Sequence, residues 1–393
     1  MIDFISEANA LFEYTRSLRR DFHSHPELGF QEIRTSGIVI RELSSLGLEI
    51  HSGIAETGVM ALIEGARPGL VVLLRADMDA LPIIEETGAA YASLNHGVMH
   101  ACGHDGHTAI LLTVAKMLHA HRNELAGTVK IMFQPAEEGM GGAERMIASG
   151  ILENPKVDRV LGLHIWNEKP VGWLGIAGGP VMAGAEIFKI KINGKGGHAA
   201  APHLTVDPVL ASAHVVTALQ GIVARNVPPS RTAVVSVCTI HAGEAFNVIP
   251  PFVELTGTIR TFEADLREQV LDRFQTIVHG VAEAMGCTAE VDLQQLTPAT
   301  INHPETAASI QAVARGLLPD ARVDPANYIT MGSEDFAFIL EKVPGCFFFI
   351  GSANPQKGLD AGHHHPKFDF DEVILPRAAA LMAAAAVRIL AGG

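Results

Sequence analysis

The stretch 71-VVLLRADMD-79 is an apolar run that leads directly into two aspartates. A short apolar run rich in β-branched residues predicts a buried β-strand. Three further runs share this character, namely 128-TVKIMFQ-134, 159-RVLGLHI-165 and 346-CFFFIGS-352. Gly-rich or polar turns and helical patterns follow these runs. Strands that alternate with helices are typical of an α/β fold with a mostly parallel central sheet flanked by helices.

Between about residues 185 and 300 the pattern changes, because the strands there come in pairs. The predicted order is strand, helix, two strands, helix and strand, from 187-IFKIKIN-193 to 288-TAEVDLQ-294. This order is typical of a smaller α+β domain. The chain of 393 residues also exceeds the usual size of one core. We therefore predict one domain from 1–184 and 301–393, with 185–300 inserted into it.

The composition restricts the class of protein. With 48% hydrophobic and 18% charged residues, the chain can bury a sizeable core. A formal net charge of −14 and the lack of a basic run argue against a nucleic acid as partner. The sequence has no apolar signal-peptide core and no uninterrupted membrane span. Four widely spaced cysteines suit a reducing compartment, so we expect a cytoplasmic protein that binds no membrane.

Side chains suited to metal or proton chemistry follow each of the four strand-like runs. They are Asp77 and Asp79, Glu137 and Glu138, His164, and the histidines His363, His364 and His365. Ligands of open α/β sheets collect beyond the carboxyl ends of the strands, so these groups are expected to meet in one crevice. The motif 100-HACGHDGH-107 precedes a continuous apolar helix pattern and would enter the same crevice.

This set of residue types predicts a metal site. Thiolate, imidazole and carboxylate, as in Cys102, His104 and the glutamates, bind Zn or a related first-row ion, and several strand ends can surround two ions. The adjacent Glu137 and Glu138 can face different ways, one towards a metal and one towards its bound water. Such a water has a lowered pKa, and a carboxylate can take its proton during attack on a carbonyl. The predicted chemistry is hydrolysis without a covalent intermediate.

Each of these residues also has an ordinary structural interpretation. His164 could be a hydrogen-bonded core histidine, and the glutamate pair could be solvated surface charge. Cys102 could be an inert core thiol, or a nucleophile with His104 or His107 as its base. The joint occurrence of such residues at four strand ends favours the metal site.

Nine motifs, in this order and at these spacings, resemble the M20 metallopeptidases. The match is with the amidohydrolase branch, which contains hippurate hydrolases, N-acyl-amino-acid deacylases and auxin-conjugate hydrolases. The motifs are RRDFHSHPELGFQE, RADMDALPI, HACGHDGHTA, FQPAEEG, GLHIWN, GKGGHAAAPH, FNVIPP, MGSEDF and HHHPKFDFDE. The resemblance covers nearly the whole chain. It implies a catalytic α/β domain with a dinuclear metal site, and an inserted α+β domain that serves as lid and often as dimer interface, so a homodimer or higher homo-oligomer is expected.

The resemblance also implies which residues hold the two ions. They are Cys102, His104, Glu138, His164 and His364. Cys102 would bridge the ions, and its soft sulfur favours Zn, Co or Ni over Mn, although metal availability often decides which ion is loaded. At the last ligand position, His363 or His365 could take the place of His364.

The remaining implied roles concern catalysis and the substrate. Glu137 would be the general base, while Asp77 and Asp79 would orient metal ligands. In the inserted domain, His198 would polarise the scissile carbonyl, and two residues would grip the substrate carboxylate. These two are Asn247 of FNVIP and Arg260 of GTIRTF.

The predicted function is metal-dependent hydrolysis of N-acyl amino acids, hippurate-like or N-acetylated, to a carboxylic acid and a free amino acid. Two other functions stay open from the residues alone. One is a metal-independent cysteine hydrolase that uses Cys102, and the other is a non-catalytic metal- or ligand-binding protein of the same fold. The preferred acyl group depends on the shape of a pocket formed by apolar side chains scattered along the chain.

Overall fold

The computed structural model describes residues 2–325 and 330–392. Its helices are α1 (Phe4–Ala10), α2 (Phe12–Ser24), α3 (Ile33–Ser45), α4 (His104–Ala120), α5 (Gly142–Ala148), α6 (Pro208–Gly221), α7 (Ala264–Ala284), α8 (Pro304–Leu317), α9 (Phe336–Leu340) and α10 (Ile374–Leu390). Its strands are β1 (Glu49–Ile54), β2 (Gly58–Glu64), β3 (Arg67–Asp77), β4 (Ala126–Gln134), β5 (Arg159–Pro170), β6 (Trp173–Gly175), β7 (Gly179–Met182), β8 (Gly184–Asn193), β9 (Gly197–His198), β10 (Ala233–His241), β11 (Val248–Ile249), β12 (Phe252–Thr261), β13 (Thr288–Thr297), β14 (Thr300–Asn302), β15 (Arg322–Asp324) and β16 (Gly345–Ala353).

The chain forms two compact units. The first comprises the described residues within Met1–Val181, Ile301–Ile329 and Glu334–Gly393, and the second comprises Met182–Thr300 and Thr330–Ser333. The sequence prediction had put all of 301–393 in the first domain. Residues 330–333 group with the second unit because the carbonyls of Thr330 and Gly332 both accept the backbone N–H of Ala183.

The first unit is built on an eight-stranded sheet with the order β1-β2-β4-β3-β5-β16-β6-β15. Its central strands β4, β3, β5 and β16 run parallel to one another. Antiparallel pairs lie on both sides, formed by β1, β2 and β4 on one side and by β16 and β6 on the other. The α/β prediction is confirmed, and the sheet as a whole is mixed.

Two helices of the first unit are buried almost all round. Helix α4 has fourteen buried residues among its seventeen, which explains its continuous apolar sequence. Helix α10 carries many alanines, and its buried residues belong to the same hydrophobic core. Because large-to-small changes in such cores cost about 2–5 kcal/mol, these helices are central to stability. Within the described residues, no helix combines the length and apolarity needed to cross a bilayer.

The second unit has a four-stranded antiparallel sheet in the order β10-β12-β8-β13. Helices α6 and α7 share one hydrophobic core with the sheet, in which the rings of Phe188 and Phe274 lie 4.7 Å apart. Strands β9 and β11 form a separate antiparallel pair. The prediction of an inserted α+β domain is confirmed.

Candidate metal centre

The ends of the central strands bring the first candidate residues to one edge of the sheet. Asp77, the last residue of β3, is in register with Gln134, the last residue of β4. The loops that carry Asp79 and the two glutamates therefore leave the sheet side by side. Helix α4 begins at His104, directly after Gly103, whose φ of 94° is in the left-handed region that favours glycine.

The potential ligand atoms form overlapping clusters. Within each of three groups, all ligand atoms lie within 4.8 Å of one another: Cys102 with His104 and His164, Cys102 with Glu138 and His364, and His104 with Glu137 and Glu138. Cys102, His104 and Glu138 each belong to two groups. The structure thus brings together all five residues predicted to bind metal and the predicted base.

A cation fits between these side chains. The buried Nε2 of His104 and Oε1 of Glu138 are 4.0 Å apart. Within the part of the chain that the structure describes, Nε2 of His104 has no hydrogen-bond partner, and Oε1 of Glu138 lies 3.2 Å from Nε2 of His364. A buried polar atom left without a partner costs free energy, and a divalent ion would satisfy Nε2 of His104 and bind the Glu138 carboxylate as well. Burial alone would lower the pKa of His104, but the carboxylates of Asp77 and Asp79 raise it to about 10. The pocket therefore favours positive charge at this ring, from a proton or from a cation in its place.

Hydrogen bonds fix the ring direction of three buried histidines, His104, His164 and His107. Nδ1 of His104 lies 2.9 Å from the carbonyl oxygen of Asp79 and 3.2 Å from its carboxylate, so this N–H donates and Nε2 is left as a ligand. Nδ1 of His164 donates to its neighbour's carbonyl at 2.5 Å, and its Nε2 lies 3.6 Å from Cys102 Sγ. His107 uses both nitrogens, because Nδ1 donates to Asp77 at 2.6 Å and Nε2 accepts a backbone N–H at 2.9 Å.

The three consecutive histidines differ in what their rings contact. Nε2 of His363 accepts the N–H of Asn167 at 3.2 Å, and burial lowers the pKa of this histidine to about 3. Nδ1 of His365 accepts the N–H of Lys367 at 3.0 Å. His364 has a left-handed backbone with φ 63°, and its Nε2 lies 3.2 Å from Glu138 Oε1. Contact with Glu138 raises the pKa of His364.

Glu137 is suited to hold and release a proton. Its side chain is almost completely buried, and the N–H of Asp335 donates to its Oε1 at 3.4 Å. Burial, together with the nearby carboxylates of Glu334 and Glu138, raises the pKa of Glu137 well above its usual range. A raised carboxyl pKa brings proton transfer closer to neutral pH.

Two buried arginines support this edge of the sheet, and sequence reasoning assigned a role to neither. The first is Arg75, which contacts Asp77 at 2.6 Å, Glu334 at 2.7 Å and Asp335 at 3.1 Å. It also donates to the side-chain oxygen of Gln134 at 2.9 Å. Its position inside the apolar run VVLLR was the signal in the sequence, because a charged residue in a buried strand needs buried partners.

The second buried arginine is Arg19, on α2. It contacts Asp105 of α4 at 2.9 Å and Asp369 at 2.7 Å, and Asp105 also contacts Nδ1 of His23 at 2.7 Å. Asp105 follows His104 directly, and Asp369 lies four residues after the histidine run. Arg19 thus ties together the two segments that carry four of the candidate histidines and Cys102.

The other three predicted site residues belong to the second unit. His198 ends β9 opposite Val248 of β11, and the carbonyl of Asn247 accepts the N–H of Ala199 at 3.0 Å, so His198 and Asn247 lie at one small antiparallel strand pair. Both side chains are exposed. Arg260 lies on β12, where burial lowers its pKa, and its buried Nη1 has no hydrogen-bond partner among residues 2–325 and 330–392.

Comparison with known proteins gives consistent matches. The sequence profile of peptidase family M20/M25/M40 matches residues 73–387. A Bacillus subtilis protein named as an amidohydrolase is 43% identical over 382 residues, covering 97% of this chain and 96% of that protein. The N-acetyl-L-cysteine deacetylase of Bacillus subtilis is 39% identical over 373 residues, covering 95% and 87%. A solved Bacillus subtilis structure, described as a dinuclear metal-binding M20 peptidase, matches with a TM-score of 0.86 and 36% identity, covering 98% of this chain and 99% of that one.

Proposed function

The chain belongs to peptidase family M20/M25/M40 and is a metal-dependent hydrolase of amide bonds, and from this premise we propose that it cleaves N-acyl amino acids to a carboxylic acid and a free amino acid. The observation that carries the proposal is the group of Cys102, His104, Glu138, His164 and His364, in which the buried Nε2 of His104 lacks a hydrogen-bond partner among the described residues. The similarity to an N-acetyl-L-cysteine deacetylase supports the substrate class.

In this proposal those five residues would hold two divalent cations, and His364 is chosen from the histidine run. His363 and His365 each have a ring nitrogen engaged by a backbone N–H, whereas His364 faces Glu138. When bound, the cations lower the pKa of water and polarise a carbonyl. Zn, Co, Ni and Mn are all candidates.

Glu137 takes the proton of the attacking water and later delivers it to the leaving amine. Its burial suits both steps, because a carboxyl group with a raised pKa accepts a proton readily and returns it to a more basic nitrogen. Asp79 keeps Nδ1 of His104 protonated, so that Nε2 stays available as a ligand.

The second unit supplies groups for the substrate. Arg260 has no carboxylate partner recorded in the described chain, although its guanidinium is half-buried. Such an uncompensated cation suits the carboxylate of an amino-acid substrate, which a guanidinium binds through two parallel hydrogen bonds. We assign this role to Arg260 with Asn247, and assign polarisation of the scissile carbonyl to His198.

The rival function, a cysteine hydrolase without metal, is disfavoured by the surroundings of Cys102. Burial and the carboxylates of Glu138 and Glu137 raise the pKa of this thiol well above its usual range. A catalytic cysteine needs the opposite, a lowered pKa that yields the thiolate nucleophile. A cation at this place would stabilise the thiolate as a ligand.

Metal removal and reconstitution test the proposal. Purified protein is freed of metal by exhaustive chelation, reloaded separately with Zn, Mn, Co or Ni, and assayed on N-acetyl, N-benzoyl and N-indoleacetyl amino acids. We expect turnover to disappear with the metal and to return on reloading. Turnover that survives complete metal removal would establish the cysteine mechanism instead. Fully loaded protein that cleaves none of the panel would overturn the substrate class.

We also propose that the protein is a homodimer or higher homo-oligomer through its second unit. Ile240 on the edge strand β10 and Leu210 on α6 are large apolar side chains that the single chain leaves exposed. Exposed apolar side chains on an open sheet edge are suited to pairing with another copy. Sedimentation equilibrium tests this assembly. A cytoplasmic location stays a prediction from the cysteine content.

A further inference from the structure

We propose that Glu32 is a positioning residue that fixes the turn at Ala136 and thereby aims Glu137 into the metal centre. This inference rests on the proposed function, because it takes Glu137 to be the general base. Glu32 belongs to a different segment of the chain, directly before α3, and no catalytic role requires it to touch the substrate.

The turn after β4 has a backbone that needs support. Strand β4 ends at Gln134, and Ala136 has φ 54°, in the left-handed region that is unfavourable for a residue with a Cβ atom. Ala136 is completely buried, and its carbonyl accepts the N–H of Gly142 at 3.1 Å. The conformation of Ala136 sets the direction in which the next residue, Glu137, leaves the turn.

Glu32 contacts the backbone N–H of Ala136, at the other end of this residue. Its Oε1 accepts the N–H of Ala136 at 2.9 Å, and its Oε2 accepts the hydroxyl of Thr57 at 2.5 Å. Although Glu32 precedes the first residue of α3, its side chain makes no capping hydrogen bond to that helix. The carboxylate is thus committed to the turn and to Thr57.

The burial of the Glu32 carboxylate costs free energy unless hydrogen bonds compensate for it. The residue is 0% exposed, and burial raises its pKa to about 7. Glu32 forms no ion pair with the residues that the structure describes, so its hydrogen bonds compensate for the loss of water around the carboxylate. Gly29, from the same segment, also packs on the turn, since a Cβ there would lie 3.0 Å from the Cβ of Ala136.

The two glutamates after the turn are anchored differently. The N–H of Glu138 donates to Asp79 Oδ2 at 3.0 Å, so Glu138 has a separate anchor. Among the described residues, the Glu137 carboxylate accepts the N–H of Asp335 at 3.4 Å, and its backbone carbonyl accepts the N–H of Gly139 at 2.6 Å, but its own N–H has no side-chain anchor like that of Glu138. Loss of Glu32 should therefore displace the base more than the metal ligand, which separates an effect on turnover from an effect on metal binding.

The main test is Glu32→Ala in the metal-loaded enzyme. We expect kcat to fall about a hundredfold, because small misplacement of a catalytic group has effects of this size. KM should stay within about twofold and the metal content at the wild-type level, because substrate and metal contacts are kept.

Thr57→Val is the matched control, since it removes the other partner of Glu32 without touching Ala136, and it should leave kcat unchanged. Glu32→Gln keeps an oxygen for the Ala136 N–H and should hold kcat within about threefold of wild type.

A double variant tests the mechanism of positioning. Glycine adopts positive φ without strain, so Ala136→Gly should recover much of the kcat lost in Glu32→Ala. A merely structural loss of Glu32 would not be repaired in this way. If Glu32→Ala does not fold, Glu32→Asp serves in its place, because the shorter carboxylate cannot reach both Thr57 and Ala136.

The outcomes separate this inference from the proposed function. Glu137→Gln is assayed alongside, and if it keeps full turnover, the assignment of the base is wrong. If Glu137→Gln is inactive while Glu32→Ala or Glu32→Asp turns over at the wild-type rate, the role of Glu32 is wrong. Equal loss in Glu32→Ala and in the Ala136→Gly double variant would also overturn it.

Discussion

The two regions that carry the predicted site residues are built in opposite ways. At the sheet edge of the first unit, His104, His164 and Glu137 are 1%, 5% and 8% exposed, and each is held by a further hydrogen bond. In the second unit, His198 is exposed and Arg260 has a buried nitrogen without a partner in the described chain. Metal ligands must be oriented before the ion arrives, whereas groups that bind a substrate keep their hydrogen-bonding capacity free until it does.

The first region also contains many buried charged side chains, and burying them adds little to the stability of the fold. Arg75 and Arg19 are both buried and each is surrounded by several carboxylates. Removing two charges from water costs several kcal/mol per ion, and buried pairs often repay no more than this. We interpret both networks as supports for the ligand segments. The following substitutions compare the two regions.

The largest effect is expected for Glu137→Gln in the first region. The amide keeps the shape but cannot accept the proton, so kcat should fall by about a thousandfold, within the range for lost general-base catalysis. Bound metal, measured by elemental analysis, should be unchanged. Glu144→Gln, an exposed position in α5, is the control. A variant that turns over normally would remove Glu137 from the mechanism.

The next effect concerns orientation of a ligand. One carboxylate oxygen of Asp79 accepts from Nδ1 of His104, and the other accepts the N–H of Glu138. Asp79→Asn replaces one of these two acceptor oxygens with an NH2 group, so it should weaken metal binding by about ten- to a hundredfold. Competition with a chromophoric chelator measures this affinity. The control is Asp158→Asn. The Asp158 carboxylate accepts the N–H of Val71 in β3, and this substitution should leave the metal affinity unaltered. Unaltered affinity in Asp79→Asn would mean that orientation contributes little.

In the second region, Arg260→Gln should weaken substrate binding without changing metal binding. Loss of a charged hydrogen-bond donor costs about 1.5–3 kcal/mol, so KM should rise about tenfold or more. Metal affinity and kcat should stay close to wild type, in contrast with both variants above. Arg225→Gln, in the same unit, is the control. The contrast between the regions fails if Arg260→Gln loses metal or if its KM is unchanged.

The smallest effect should come from a charged group outside both regions. Hydrogen bonds to Glu124 and Glu7 raise the pKa of His121 above 6.5. The protonated form therefore stabilises the fold below pH 6.5, and this stabilisation is lost as the pH rises through the raised pKa. His121→Gln should lower the free energy of unfolding by less than about 1 kcal/mol at pH 5.5, because ion pairs of a partly exposed side chain contribute little, and should have no effect at pH 9. Urea unfolding at the two pH values measures the difference. An equal loss at both would assign the effect to packing.

Several parts of the site could be predicted because their signals are local. Adjacent glutamates after an apolar strand, and cysteine and histidine two residues apart before a helix, are visible in the sequence. The roles of Arg75 and Arg19 were missed, since the sequence does not show which distant carboxylates a buried arginine will meet. Glu32 was missed for the same reason, because its partner Ala136 lies 104 residues further along the chain.

By itself the sequence determined the alternation of strands and helices, the inserted α+β unit and the identity of the chemical groups, because periodicity and residue type act over a few neighbouring residues. The tertiary structure alone decided which groups meet. It directs His364 towards Glu138 while backbone N–H groups engage rings of His363 and His365. It also leaves one ligand atom, Nε2 of His104, buried without a hydrogen-bond partner in the described chain. Such relations depend on distance and burial, which exist only once the strands have come together.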